Sequence, residues 1–272
     1  MSNSKTSSSR IPASEPRRWL AYCALFLLAS WPATARLIQA VSPEASDAPQ
    51  TAEQVIGAYV SALGGKEALA QITSRKAEGR VEMANRKEGG QKFITYWRAP
   101  DFSRMRVESD GEDIELGFDG KAGWRSEYVG VIERVSGRSL ELLLRDANPL
   151  RYARLAELYP DVTLDREPPE DAPKGTGLIY RGREETLRFY FDPKSHLLTE
   201  ITAEGAKDET GPRHYLFEDY RKVDGVLFPF AIREIVALPN ADPRAVHIEH
   251  IVRYHKLQQN INIPESMFSP PR

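Results

Sequence analysis

Apolar residues first recur at helical spacing between Thr51 and Leu63, where Ala52, Val55, Ile56, Tyr59 and Leu63 fall on one stripe, and this predicts an amphipathic helix. Thr51 stands in the capping-box relation to Gln54, three positions on, and Gly64-Gly65 stops the helix. A second short turn is predicted over residues 66–72. From Ser74 onward the period falls to two. Ile114, Leu116 and Phe118 share one strand face, Leu187, Phe189 and Phe191 a second, and Phe228, Phe230 and Ile232 a third. Asp110-Gly111, Asp119-Gly120, Asp192-Pro193 and Asp224-Gly225 punctuate the strands as turns. Such alternation, repeated over many short segments without a strand-helix rhythm, predicts one large antiparallel sheet and excludes a parallel α/β fold.

One helical interruption is expected. Ser139 is a candidate cap for a segment with Leu140, Leu143, Leu144 and Ala147 on one side. Asn148-Pro149 ends it and starts another over residues 150–159, with Leu155 and Leu158 available for burial, before Pro160. These two helices are predicted to cover a face or mouth of the sheet. A polar loop over residues 166–177 separates them from the later hairpins.

The N-terminus has a different character. Arg17-Arg18 precede 13 largely apolar residues, Trp19 to Trp31, and then Pro32 and Ala33-Thr34-Ala35. That is the layout of a secretory signal cleaved after Ala35; an uncleaved N-terminal membrane anchor is the alternative. The expected organisation is a signal peptide over 1–35, a flexible linker over 36–50 and one folded domain over 51–272. Cleavage removes Cys23, the only cysteine, so thiol catalysis and cysteine metal ligation are excluded from the exported chain. It also moves the formal charge from -2 to -5, since the leader carries four Lys or Arg and one Glu. Neither value drives binding to nucleic acid.

Catalytic motifs are absent. The sequence has no HExxH, no GxSxG and no phosphate-binding glycine motif. In the strand HIEHIVRYH, alternation places His247, Glu249 and His255 on one face and His250 on the other, too few ligands together for a zinc site. Ser195 and His196 are neighbours in a turn, which does not make a triad. Asp165, Glu167, Glu170 and Asp171 form an acidic loop best explained by solvation. No enzyme, metal or cofactor is expected.

The segments QVIGAYVSALGGKEAL, KAEGRVEM, YWRAPDFSRMRVE, GFDGKAGW, LRFYFDPKSHLLTEI, DYRKVDGVLFPFAI and INIPESMF, in this order, span almost all of residues 51–272. Together they resemble the periplasmic outer-membrane lipoprotein carriers, the lipoprotein-sorting superfamily. The resemblance implies a mainly β fold: an incomplete, strongly curved antiparallel β-barrel with an N-terminal helix and an inserted helical lid. It also implies a periplasmic protein that binds lipid or acylated lipoprotein without a cofactor, with transient membrane contact and a possible envelope protein partner. Acyl chains gain roughly 0.8 kcal/mol per CH₂ on leaving water, so an apolar groove suffices to hold them. The candidate lipid contacts are Phe93, Trp97, Met105, Ile114, Leu116, Phe118 and Trp124 on the sheet, and Leu143, Leu144 and Leu155 on the helical cover. Arg98 of YWRAP matches the strand arginine that contacts the lid in the carriers; a solvent-facing strand residue is its other reading. For the apolar residues, a solid core that binds nothing is the other reading. The functional alternatives are a non-enzymatic envelope-stress sensor and a structural or accessory protein with the same fold.

Overall fold

The computed structural model describes residues 51–83, 90–108, 113–128, 131–205, 212–237 and 247–271. The expected signal, the linker, Cys23 and the Asp110-Gly111 turn lie outside the described residues.

Helix α1 (Ala52–Leu63) begins on the expected capping box: the Gln54 amide donates to Thr51 Oγ1 at 3.3 Å, and the Thr51 amide to Gln54 Oε1 at 3.1 Å. Helix α2 (Lys66–Ala70) follows the two glycines. Strands β1 (Ser74–Met83), β2 (Gln91–Arg98), β3 (Phe102–Val107), β4 (Ile114–Phe118), β5 (Gly123–Tyr128) and β6 (Val131–Val135) come next. They lead into helix α3 (Gly137–Ala147), a 3₁₀ turn at Arg151–Arg154 and helix α4 (Leu155–Leu158). Seven strands complete the sheet: β7 (Thr163–Leu164), β8 (Thr176–Arg181), β9 (Glu185–Phe191), β10 (Leu198–Gly205), β11 (Arg213–Val223), β12 (Val226–Ala237) and β13 (His247–Gln259). A second 3₁₀ turn, Glu265–Phe268, lies near the C-terminus.

Within each run every strand pairs antiparallel with the next, and β1 pairs with β13. The result is one 13-stranded sheet with β6 and β7 at its two edges. It is an incomplete antiparallel barrel, with an N-terminal helix inside and a helical segment joining its edges. The hairpins turn as their residues dictate. Asp224 and Gly225 both have positive φ, 47° and 88°, the signature of a type I′ turn between β11 and β12. Asp192 Oδ1 accepts from the Lys194 and Ser195 amides.

The inserted segment differs in detail from expectation. α3 starts two residues before Ser139, because the chain leaves β6 at Ser136 and turns through Gly137 at φ 58°. The single helix expected over 150–159 is divided into the 3₁₀ turn and α4, its start held by the Leu150 amide donating to Asn148 Oδ1 at 2.9 Å.

α1 fills one half of the sheet. Val55, Ile56, Tyr59 and Leu63 pack in a single core with Leu178 of β8, Phe189 and Phe191 of β9, Leu198 of β10 and Phe217 of β11. Leu155 of α4 joins this core and is fully buried. The outward face of the other half is crossed by the C-terminal strap. Trp124 Nε1 donates to Phe268 O at 2.8 Å, Arg104 Nη1 to Met267 O at 2.9 Å and Arg98 Nη1 to Ile263 O at 3.0 Å. Gly117, opposite Trp124 in register, leaves room for the indole: a Cβ there would lie 2.7 Å from Trp124 Cζ2.

Trp124→Phe removes the indole N–H with its buried hydrogen bond and part of the buried ring, so unfolding free energy is expected to fall by about 1 kcal/mol or more in a urea titration. Amide exchange should quicken in residues 263–268, and unchanged exchange there would show that the strap is held without the indole.

Candidate functional site

The inward face of β1 to β6 is set by register. Arg75, Trp97, Ser103 and Phe118 form one row across four strands, and Ala77, Thr95, Met105 and Leu116 form the next. The intervening residues, among them Arg98, Arg104, Glu115 and Trp124, face outward. Over this inward face passes α3. Between them lies a cavity of about 900 Å³, within the range of about 300–1,000 Å³ typical of small-molecule sites.

Five of the expected contacts line this cavity: Phe93, Trp97, Met105 and Leu116 from the sheet and Leu143 from α3. Phe118 shares the inward row of Trp97 but stands beyond the lining. Trp124 is a correction, because its pairing with Gly117 puts it on the opposite face from Leu116, under the strap. Leu155 is also corrected: it is core packing against α1. Leu144 is not among the lining residues, whereas Leu142 is, since α3 presents Ser139, Leu142, Leu143 and Asp146 to the cavity at helical spacing. Ile114 is exposed at the end of β4.

Arg98 is redirected. Trp97 points inward, so strand alternation turns Arg98 outward, where its guanidinium stacks 4.3 Å from the Phe102 ring and binds the C-terminal strap. It does not contact the helical cover.

The cavity also holds residues that the sequence reading missed. Arg75 lies at the start of β1, 8% exposed, with its guanidinium 4.6 Å from the Phe228 ring centroid and 5.6 Å from that of Tyr254. Burial pulls its pKa down to about 10, with the Tyr254 phenol opposing and the nearby Arg151 charge adding to the pull. It therefore remains a cation at neutral pH. Arg151 lines the cover side, donates to Tyr152 Oη at 2.8 Å and stacks on the same ring at 4.4 Å. Tyr59, Tyr152, Tyr220 and Tyr254 complete this end, and burial pushes the Tyr59 and Tyr220 hydroxyls above the usual phenol range. One signal for Arg75 was present in SRKAEGRV: its own alternation partners, Ala77, Gly79 and Val81, are all small or apolar.

Several of the ionisable and hydroxyl residues have structural partners. Ser195 Oγ donates to Asp192 Oδ1 at 2.8 Å within its turn. Asp165 is ion-paired with Arg188 at 3.2 Å. His214 Nδ1 lies 2.7 Å from Glu200 Oε1, and that hydrogen bond raises its pKa. His250 and His255 lie 3.9 Å from Glu234 and Glu78, on different strands. The side chains of His247 and Glu249 lie outside the described residues. Among the described residues no three His, Cys, Asp or Glu side chains gather as a metal site, and no helix is long and apolar enough to cross a membrane.

No protein-family model and no curated protein matches the sequence. Solved structures do match. A LolA superfamily protein from Nitrosomonas europaea superposes with a TM-score of 0.52 at 11% identity, over 82% of this chain and 99% of its own. An uncharacterised conserved protein from Thermus thermophilus aligns over 81% of this chain and 94% of its own, at 10% identity and a TM-score of 0.35. The first of these carries the architectural conclusion: the chain has a LolA-like fold.

Proposed function

We propose that the protein is an exported, periplasmic binder or carrier of lipid or of the acyl chains of a lipoprotein, which it holds in the cavity beneath α3. One observation carries this reading. The half of the sheet that α1 does not fill keeps a cavity of about 900 Å³, faced by Met105, Leu116 and Phe93 from below and by Leu142 and Leu143 from above. Water against these apolar side chains forms few hydrogen bonds with them, and an acyl chain displacing it gains roughly 0.8 kcal/mol per CH₂. The LolA-like fold supports the same reading. Transfer of whole lipoproteins between membranes is the finer form of it, and a periplasmic site of action follows from the expected cleavage after Ala35.

Two measurements test the proposal. Intact mass of the protein recovered from a periplasmic fraction should correspond to a chain beginning at Arg36; a product retaining Met1 would contradict export with cleavage. Organic extraction followed by mass spectrometry should release lipid from the gently purified protein, and the neutral fluorophore N-phenyl-1-naphthylamine should bind to it. Leu143→Asp places a carboxylate against the apolar wall and should weaken fluorophore binding about tenfold or more. Met105→Trp should fill the space from the sheet side and have the same effect. A wild-type protein that yields no lipid and leaves the fluorophore unbound would fit the scaffold or sensor reading instead.

A further inference from the structure

The charge inside this cavity is unusual for a site meant only for hydrocarbon. Arg75 is more than nine-tenths buried and projects into the cavity, and among the described residues no carboxylate pairs with it. Its contacts are the faces of Phe228 and Tyr254. Cation–π contacts return less free energy than desolvating an ion costs. The carboxylates that line the cavity are engaged elsewhere: Glu133 with Arg125 at 2.6 Å, Asp146 with Arg145 at 3.0 Å and Glu234 near His250 at 3.9 Å.

The neighbours of Arg75 on its row extend this pattern. Gln259, directly opposite on β13, is 7% exposed, and neither its Nε2 nor its Oε1 has a hydrogen-bond partner. Ser103, two strands away on the other side of Trp97, is 4% exposed, lines the cavity, and its Oγ also has no partner. Buried polar groups are ordinarily paired. Here three lie in one row, with Arg75 and Ser103 lining the cavity and Gln259 beside them, and Arg151 lines the cover side with its charge bearing on Arg75.

Building on the carrier reading above, we infer that Arg75 is the head-group site of the cavity. It pairs with the anionic end of a single-chain amphiphile, a carboxylate or a phosphate, whose tail runs along β1. The length fits. Val81, which also lines the cavity, is six residues further along β1, about 20 Å at the rise of an extended strand. Beside it stand Phe93, Val252 and Ile232, with no cation among the four. The guanidinium fork matches either anion in bidentate geometry, and Ser103 Oγ supplies a hydroxyl at the same level.

Displacement of N-phenyl-1-naphthylamine by dodecanoic acid, dodecyl phosphate and dodecanol, which share one chain, tests this. The wild-type protein should take at least one of the anions about tenfold or more tighter than the alcohol. The acid and phosphate arms distinguish the two sources of the charge. In Arg75→Met the ratio of anion to alcohol affinity should fall to about one; in Arg75→Lys, which keeps the charge but not the fork, part of the preference should remain. Equal displacement by all three compounds in the wild type overturns the inference and leaves the cavity reading intact, as does a preference that survives in R75M. If R75M does not fold, the wild-type comparison and R75K decide. A protein that binds neither the fluorophore nor any of the three compounds defeats the carrier reading itself.

Discussion

The sheet is not closed, and the rest of the architecture follows from how the chain deals with that. Hydrogen bonding joins thirteen strands in one order and leaves β6 and β7 as edges. The chain must still pass from one edge to the other, from Val135 to Thr163. It does so largely as helical turns, whose internal hydrogen bonds make no use of either edge. α4, at the far end of this passage, lands on the half already occupied by α1, and Leu155 disappears into that core. α3, at the near end, crosses the half that α1 does not reach. Leu142 and Leu143 face the sheet across the space left beneath α3, which is the cavity.

How a strand presents its residues depends on register, and this divides what was legible from what was not. Single-strand alternation identified the core faces of β4 and β9, and the turn residues placed the later hairpins. The capping box at Thr51 and the glycine stop at residue 64 marked α1 to the residue. Trp124 escapes this logic, because its nearness in sequence to Phe118 does not fix the face it takes on the next strand. The four residues between Phe118 and Gly123 settle the matter once those two are known to pair: Gly123 takes the inward position, and the adjacent Trp124 must face out. The same logic moves Arg98 to the outer surface, one residue from the inward Trp97. Pairing between distant parts of the chain, β1 with β13 above all, is not written in any local pattern. Without it neither the strap INIPESMF nor the tyrosines of the cavity have a visible destination.

Three arginines on the first strands show the energetic consequence of facing one way or the other. Arg104, on the outward face, is bound by Glu115 through Nε at 3.0 Å and by the Met267 carbonyl, so its burial under the strap is compensated. Arg98, also outward, satisfies part of its fork on the Ile263 carbonyl and keeps contact with solvent. Both hold the C-terminal segment against the sheet, and the structure explains each as a stabilising group. Arg75 differs from them only in the parity of its position, which turns it inward, and there the same side chain has aromatic faces but no anion.

That asymmetry bears on what the cavity is for. A cavity evolved only to be filled by the protein's own side chains would gain from an apolar residue at position 75, since replacing a buried ion by hydrocarbon of similar volume is commonly neutral or stabilising. A cavity that accepts bare acyl chains would gain equally, because the chain offers nothing to an arginine. The cost of Arg75 is recovered only when something negatively charged enters with the chain. Its location sharpens the point. At the mouth of the cavity the guanidinium would be hydrated and its desolvation slight. Instead it stands beside Trp97 in the inward row and is 8% exposed, so a ligand must enter the cavity to reach it. An amphiphile that carries its charge into the cavity meets that guanidinium, and one that only wets an apolar surface does not.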